Sequence, residues 1–115
     1  MIETDKNMIE FLIDEIINEN DVFRVRGICN RGPILINDVF VLTYKSIRNY
    51  SETEMTETRV HQEAIRLVVT KIIAYRKSLD ELSEGMSGEL QLEGIGGSAL
   101  VERNMLSGEM AGWGK

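Results

Sequence analysis

The segment from Gly88 to Ile95, Gly-Glu-Leu-Gln-Leu-Glu-Gly-Ile, alternates apolar and polar residues with a period of two. In extended backbone successive side chains point to opposite faces, so Leu90 and Leu92 share a buried side while Glu89, Gln91 and Glu93 share the side toward water. Residues 22–28 repeat the pattern: Val22, Arg24 and Arg26 fall on one face, and Phe23, Val25 and Gly27 on the other. Strands that each bury a single face imply an antiparallel sheet wrapped on a core, and exclude a helical bundle.

The rest of the chain extends this reading. Asn30-Arg31-Gly32-Pro33 supplies turn chemistry, since Gly tolerates positive φ and Pro fixes φ near −65°. Ile34-Leu35-Ile36 follows, stops at Asn37-Asp38, and gives way to the β-branched and aromatic run Val39 to Tyr44. Ala64 to Tyr75 is rich in Ile and Val and lacks helix caps, which predicts a long strand. Residues 46–63 carry few apolar groups and many Ser, Thr and Glu, and are expected as an exposed loop. Lys77 to Glu84 is read as a connection with room for one helical turn, and the stretch from Ala99 to Leu106 as the closing strand. Residues 9–17 fit both a helix face (Ile9, Leu12, Ile13, Ile16, Ile17) and a strand (Ile9, Phe11, Ile13); the strand is the reading kept. Several short strands separated by turn signals indicate an all-β fold, a closed or partly open antiparallel barrel in which closure removes exposed edges.

At 115 residues the chain fits one domain, expected over 1–106 with a Gly-rich, loose tail over 107–115 anchored only by Trp113. A domain of this size can bury a core without metal or disulfide staples. Cys29 is the single cysteine, and neither a leader pattern nor an apolar run of about 20 residues is present. A reducing cytoplasmic location, away from membranes, is therefore expected. The net charge of −6 disfavours general attraction to phosphate backbones.

Three pieces of the sequence resemble the second domain of translational GTPases, the β-barrel of elongation factor Tu and its relatives. Gly32-Pro33-Ile34-Leu35-Ile36-Asn37-Asp38-Val39-Phe40 is similar to the family's Gly, apolar pair and Gly-Asp turn. Tyr75-Arg76-Lys77-Ser78-Leu79-Asp80-Glu81, with Glu84-Gly85 and the strand from Gly88, is similar to its aromatic-Arg-Lys segment, turn and closing strand. Val101-Glu102-Arg103-Asn104-Met105-Leu106 is similar to its terminal Arg-Gly-x-apolar-Leu element. The resemblance runs from about Phe11 to Leu106 and implies the translation-factor barrel. Asn37 and Asn104 stand where the family has Gly, an exchange that Asn, which enters the left-handed region cheaply, makes tolerable. The family's barrel leans on a GTPase domain and helps hold the aminoacyl end of a transfer RNA. Of the pocket positions this implies, Arg76 keeps the family residue, whereas Arg26 replaces a Thr and Ser87 an Asn.

The inventory for chemistry is sparse. There is no Gly-x-x-x-x-Gly-Lys-Ser/Thr loop, and Gly94-Ile95-Gly96-Gly97 follows a strand without opening a helix, so it reads as a turn. His61 is the one histidine, on a polar stretch with Glu57 and Glu63, and reads as solvated. Cys29 adjoins Arg31, which could lower a thiol pKa, but a neutral strand cysteine is the reading kept. Glu52, Glu54 and Glu57 have nothing apolar around them to perturb a carboxyl. We expect no enzyme, no cofactor and no metal.

Charge placement is more informative. Arg24, Arg26 and Arg31 lie in 22–31, and Arg66, Lys71, Arg76 and Lys77 in 64–77; these segments hold no acid, so all 19 carboxylates lie elsewhere. Arg24, Arg26, Arg66, Lys71, Arg76 and Lys77 are the candidate binding residues. Their alternative role is cross-strand pairing with Glu89 and Glu93. The function expected first is a non-enzymatic protein-protein binding module acting through its sheet face or through 46–63. A small acidic immunity or antitoxin protein is the second, carried by the acids from Glu52 to Glu63. An RNA-associated or ribosome-associated factor is the third, although Tyr44, Tyr50 and Tyr75 do not interleave with the cations as a base-stacking surface would.

Overall fold

The computed structural model describes residues 8–19 and 22–109, and the fold is all-β. The strands are β1 (Met8–Glu19), β2 (Val22–Arg31), β3 (Ile34–Leu35), β4 (Val39–Tyr50), β5 (Met55–Ala74), β6 (Lys77–Leu79), β7 (Glu81–Leu82), β8 (Ser87–Ile95) and β9 (Met105–Glu109). Neighbours run β4, β9, β1, β2, β8, β5, and a β4–β5 pairing returns to the start, giving an antiparallel ring of six strands. β6 adds to the C-terminal end of β5, and β3 pairs with β7 as a separate two-stranded piece.

The period-two pattern holds at the core-facing positions, while Glu89, expected toward water, is buried against Arg24 and Arg26. Val25, Gly27 and Cys29 of β2 are buried in alternation, and Leu90 and Leu92 of β8 meet Phe11 and Ile13 of β1, Phe40 of β4 and Leu67 and Val69 of β5 in one core. The 9–17 segment is a strand, because Ile9, Phe11 and Ile13 all point into that core. β3 and β7 contribute Ile34 and Leu82, both fully buried. Ring closure requires β9 to approach β4 closely: a Cβ at Gly108 would lie 2.0 Å from the Val39 carbonyl oxygen, so only Gly fits there.

Five expectations change. Residues 46–63 are exposed, yet they are the outer halves of β4 and β5, paired from Lys45↔Val60 to Tyr50↔Met55 around a Ser51–Glu54 turn. Low apolar content excludes a central strand but not a ribbon held by its own backbone hydrogen bonds. Lys77 to Glu84 forms β6 and β7 rather than a helical turn. Of the Ala99 to Leu106 stretch, Ala99 ends a 3-10 helix (Gly97–Ala99), a turn follows, and only Met105 and Leu106 are strand, opening the β9 that closes the ring. β9 itself runs past 106 to Glu109, so Ser107 and Gly108 are buried sheet residues, and 110–115, with Trp113, lie outside the described residues. Asn37 adopts the left-handed conformation expected of it (φ 80), but in the last turn Arg103 (φ 75) does so instead of Asn104.

No helix among the described residues is long and apolar enough to cross a membrane.

Candidate binding groove

The water-facing side of β1, β2 and β8 carries more apolar surface than its alternation would suggest. Leu12 and Ile28, neighbours in the β1–β2 register, are both exposed on it. Beside them the backbones crowd: a Cβ on Gly27 would lie 1.9 Å from the Leu12 carbonyl oxygen, and Gly27 faces a second glycine, Gly88, across the β2–β8 seam. The register shift between Ile13 and Glu15 bends β1 at the same level. A groove of about 820 Å³ opens beside this bend, lined in part by Gly27 and Gly88.

Its floor includes Leu12, Ile28 and Ile73, and its rim Arg26, Tyr75, Arg76 and Arg103. Tyr75 and Arg76 are the two central residues of the β5–β6 hairpin, between the paired Ala74 and Lys77. Both have positive φ, 54° and 64°. Such two-residue turns favour Asn-Gly, because a side chain in the left-handed region costs of order 1 kcal/mol or more. The turn therefore holds an aromatic ring, 77% exposed, and a guanidinium in place against local preference. Arg103 reaches the groove because its N–H donates to the Ile13 carbonyl at 2.7 Å, while the Ile13 N–H donates to the Asn104 carbonyl at 2.9 Å.

One wall is an ion cluster. Glu89 is only 7% exposed. Its carboxylate accepts Arg24 Nε at 2.8 Å, Arg24 Nη2 at 3.2 Å and Arg26 Nε at 3.1 Å. Arg26 Nη1 also donates to Glu15 at 3.3 Å. The Arg24 hydrogen bond, reinforced by Arg26 and opposed by burial, holds the Glu89 carboxyl below its usual range. Arg76 and Arg103, by contrast, make no ion pair with any described residue, and the acids that line the groove with them are Glu89 and Asp14.

The six cations expected as a patch are thus divided. Arg24 and Arg26 are held by Glu89, the cross-strand role weighed for them; the pairing with Glu93 is not seen. Lys71 lies opposite Gln91, and Arg66 opposite Ile95 with Glu93 at an intervening level on β8. Lys77 opens β6, outside the groove lining. Only Arg26 and Arg76 of the six line the groove, joined there by Ser87. The three positions singled out by resemblance, Arg26, Arg76 and Ser87, are therefore brought together by the fold. Arg103 and the apolar floor escaped sequence reading. Ile28 on the same face as Arg24 and Arg26 was the available signal.

A second polar cluster fixes the base of the β4–β5 ribbon. The Arg59 guanidinium stacks 4.4 Å above the Tyr44 ring and lies 3.8 Å from Glu10, which also accepts Asn30 Nδ2 at 2.7 Å. Burial, then Glu10, pushes the Tyr44 phenol up to about 12. Cys29 is fully buried, and burial followed by the Glu84 charge pushes its thiol up to about 11, the opposite of activation by Arg31. His61 sits on the exposed ribbon with φ 56, and the described residues contain no group of three or more potential metal ligands.

Neither protein-family models nor curated protein sequences match this chain.

Proposed function

We propose that this chain is a non-enzymatic protein-binding module, and that its groove receives an acidic, apolar segment of a partner protein. The observation that carries this reading is the Tyr75–Arg76 turn: a backbone conformation unfavourable for both residues displays a ring and a cation, with no ion-pair partner among the described residues, over an apolar floor. Strain of that kind persists where the surrounding structure enforces it, and it concentrates at sites of recognition. The chemistry of the rim selects the ligand class. Arg76 and Arg103, which make no ion pair among the described residues, favour carboxylates, while Leu12, Ile28 and Ile73 favour an aliphatic or aromatic side chain between them.

The resemblance to the second domain of translational GTPases supports the same location, since Arg26, Arg76 and Ser87 all line this groove. A protein ligand is favoured over RNA because Glu89 and Glu15 already occupy Arg24 and Arg26, and few cations remain at the groove for phosphates.

Fluorescence anisotropy with a labelled peptide alternating Phe and Glu tests the reading. Saturable binding that weakens at least about tenfold in Arg76→Glu, and again in high salt, is expected. Binding indifferent to Arg76 and Arg103, or stronger binding of transfer RNA than of the peptide, would overturn it.

A further inference from the structure

The β4–β5 ribbon is the one large feature that the groove does not explain. Past the register shift between Thr43 and Lys45 it continues for six residue pairs, roughly 20 Å at the usual strand rise, in a molecule 44 Å long. Neither of its edges is covered by a described strand: β9 pairs with β4 no further than Tyr44, and β8 pairs with β5 only from Arg66. An isolated two-stranded ribbon is marginal in water, so a ribbon of this length gains from a surface to lie on.

Its tip has the chemistry the groove lacks. Tyr50, 74% exposed, and Met55 form the last pair, and Glu52 and Glu54 follow in a turn ordered by Ser51, whose Oγ accepts the Glu54 N–H at 3.1 Å. The groove offers an apolar floor rimmed by Arg76 and Arg103. Ring and thioether match floor, and two carboxylates match two guanidiniums that make no ion pair among the described residues.

Within one molecule the two features are kept apart, because the ribbon tip lies at the beginning of β5 and the Tyr75–Arg76 turn directly follows its end. Two copies placed side by side in opposite directions about a two-fold axis bring each tip to the other's groove and close the contact on itself.

We infer that the chain forms a two-fold dimer in which the acidic, apolar tip of each ribbon occupies the groove of the other copy. This rests on the proposed binding role of the groove and names a second copy as an occupant. Sedimentation velocity of the full chain over rising concentration is the test, with circular dichroism to confirm that each variant keeps its strands.

The wild-type chain is expected to reach twice the monomer mass. E52K/E54K alone, and R76E/R103E alone, should each raise the dimer dissociation constant at least about tenfold by placing like charges together. Mixing the two variants restores opposite charges at both contacts, and a heterodimer should form. A wild-type chain that stays monomeric, a dimer insensitive to either charge reversal, or a mixture that does not reassociate overturns the inference. If the Phe-Glu peptide still binds the monomer through Arg76 and Arg103, only the self-contact fails; if it does not, the groove reading fails with it.

Discussion

β4 and β5 each live in two environments, and the contrast separates what builds this protein from what it presents. In their inner halves Phe40, Leu67 and Val69 are fully buried, and every backbone edge has a neighbour in the ring. In their outer halves the same two strands keep pairing, but Ile47, Tyr50 and Met55 are exposed and the edges are open. Hydrogen-bonded backbone alone therefore extends a strand; apolar burial decides whether that strand contributes much to stability.

Truncating one apolar side chain in the ring and one in the ribbon separates the two environments. Leu67→Ala in the ring should cost about 2–5 kcal/mol in chemical denaturation, since it leaves a cavity in a core packed from several strands. Ile47→Ala in the ribbon should cost less than about 0.5 kcal/mol. Comparable losses at the two positions would mean that the ribbon is packed against the ring.

How far this division could be read beforehand depends on what each segment uses to hold itself. The inner halves were legible because Val39 to Tyr44 and Ala64 to Tyr75 are dense in β-branched residues facing a core. The outer halves predict a loop because their Ser, Thr and Glu have nothing to bury, although Thr56 and Thr58 are compatible with strand and Ser51 with a turn. The groove was half legible. Arg26, Arg76 and Ser87 could be singled out, but Arg103 belongs to a turn far along the chain, and its place beside Ile13 depends on the β1–β9 pairing. Tyr75 and Arg76 also gave no turn signal, since they are not the residues that a left-handed turn favours.

The next largest effect concerns the groove wall. Glu89→Ala leaves Arg24 and Arg26 without their shared carboxylate and should cost about 1–3 kcal/mol, discounted for the partly exposed guanidiniums. The pH dependence follows from the direction of its shift. The folded protein holds Glu89 below the usual carboxyl value, so this stabilisation is complete above that value and is lost as pH falls through the depressed one. Denaturation midpoints taken on the acidic side should fall less steeply in Glu89→Gln than in wild type. Equal slopes would remove Glu89 from the acid response.

At the hinge of the comparison, Arg59→Ala removes the cation above Tyr44 and the ion pair with Glu10, for an expected loss near 1 kcal/mol. It should increase amide exchange in the ribbon without changing exchange in β8. Faster exchange throughout the ring would show that Arg59 supports the barrel itself.

The smallest effect has the opposite sign. Tyr75→Asn with Arg76→Gly supplies the residues that a two-residue left-handed turn favours, and should stabilise the fold by roughly 0.5–1 kcal/mol while abolishing peptide binding in the groove. A gain in stability with binding intact would make the turn a structural accident.

Residue-resolved hydrogen exchange across a range of protein concentrations separates a buried ring from a ribbon that is covered only by a second copy. Slow exchange is expected in the ring strands at every concentration, and fast exchange at Ile47, Arg48, Thr56 and Thr58 in dilute solution. Those ribbon amides, together with Tyr75 and Arg76, should then gain protection as concentration rises. Ribbon amides as slow as those of Leu67 in dilute solution, or ribbon and groove exchange that ignores concentration, would contradict that arrangement.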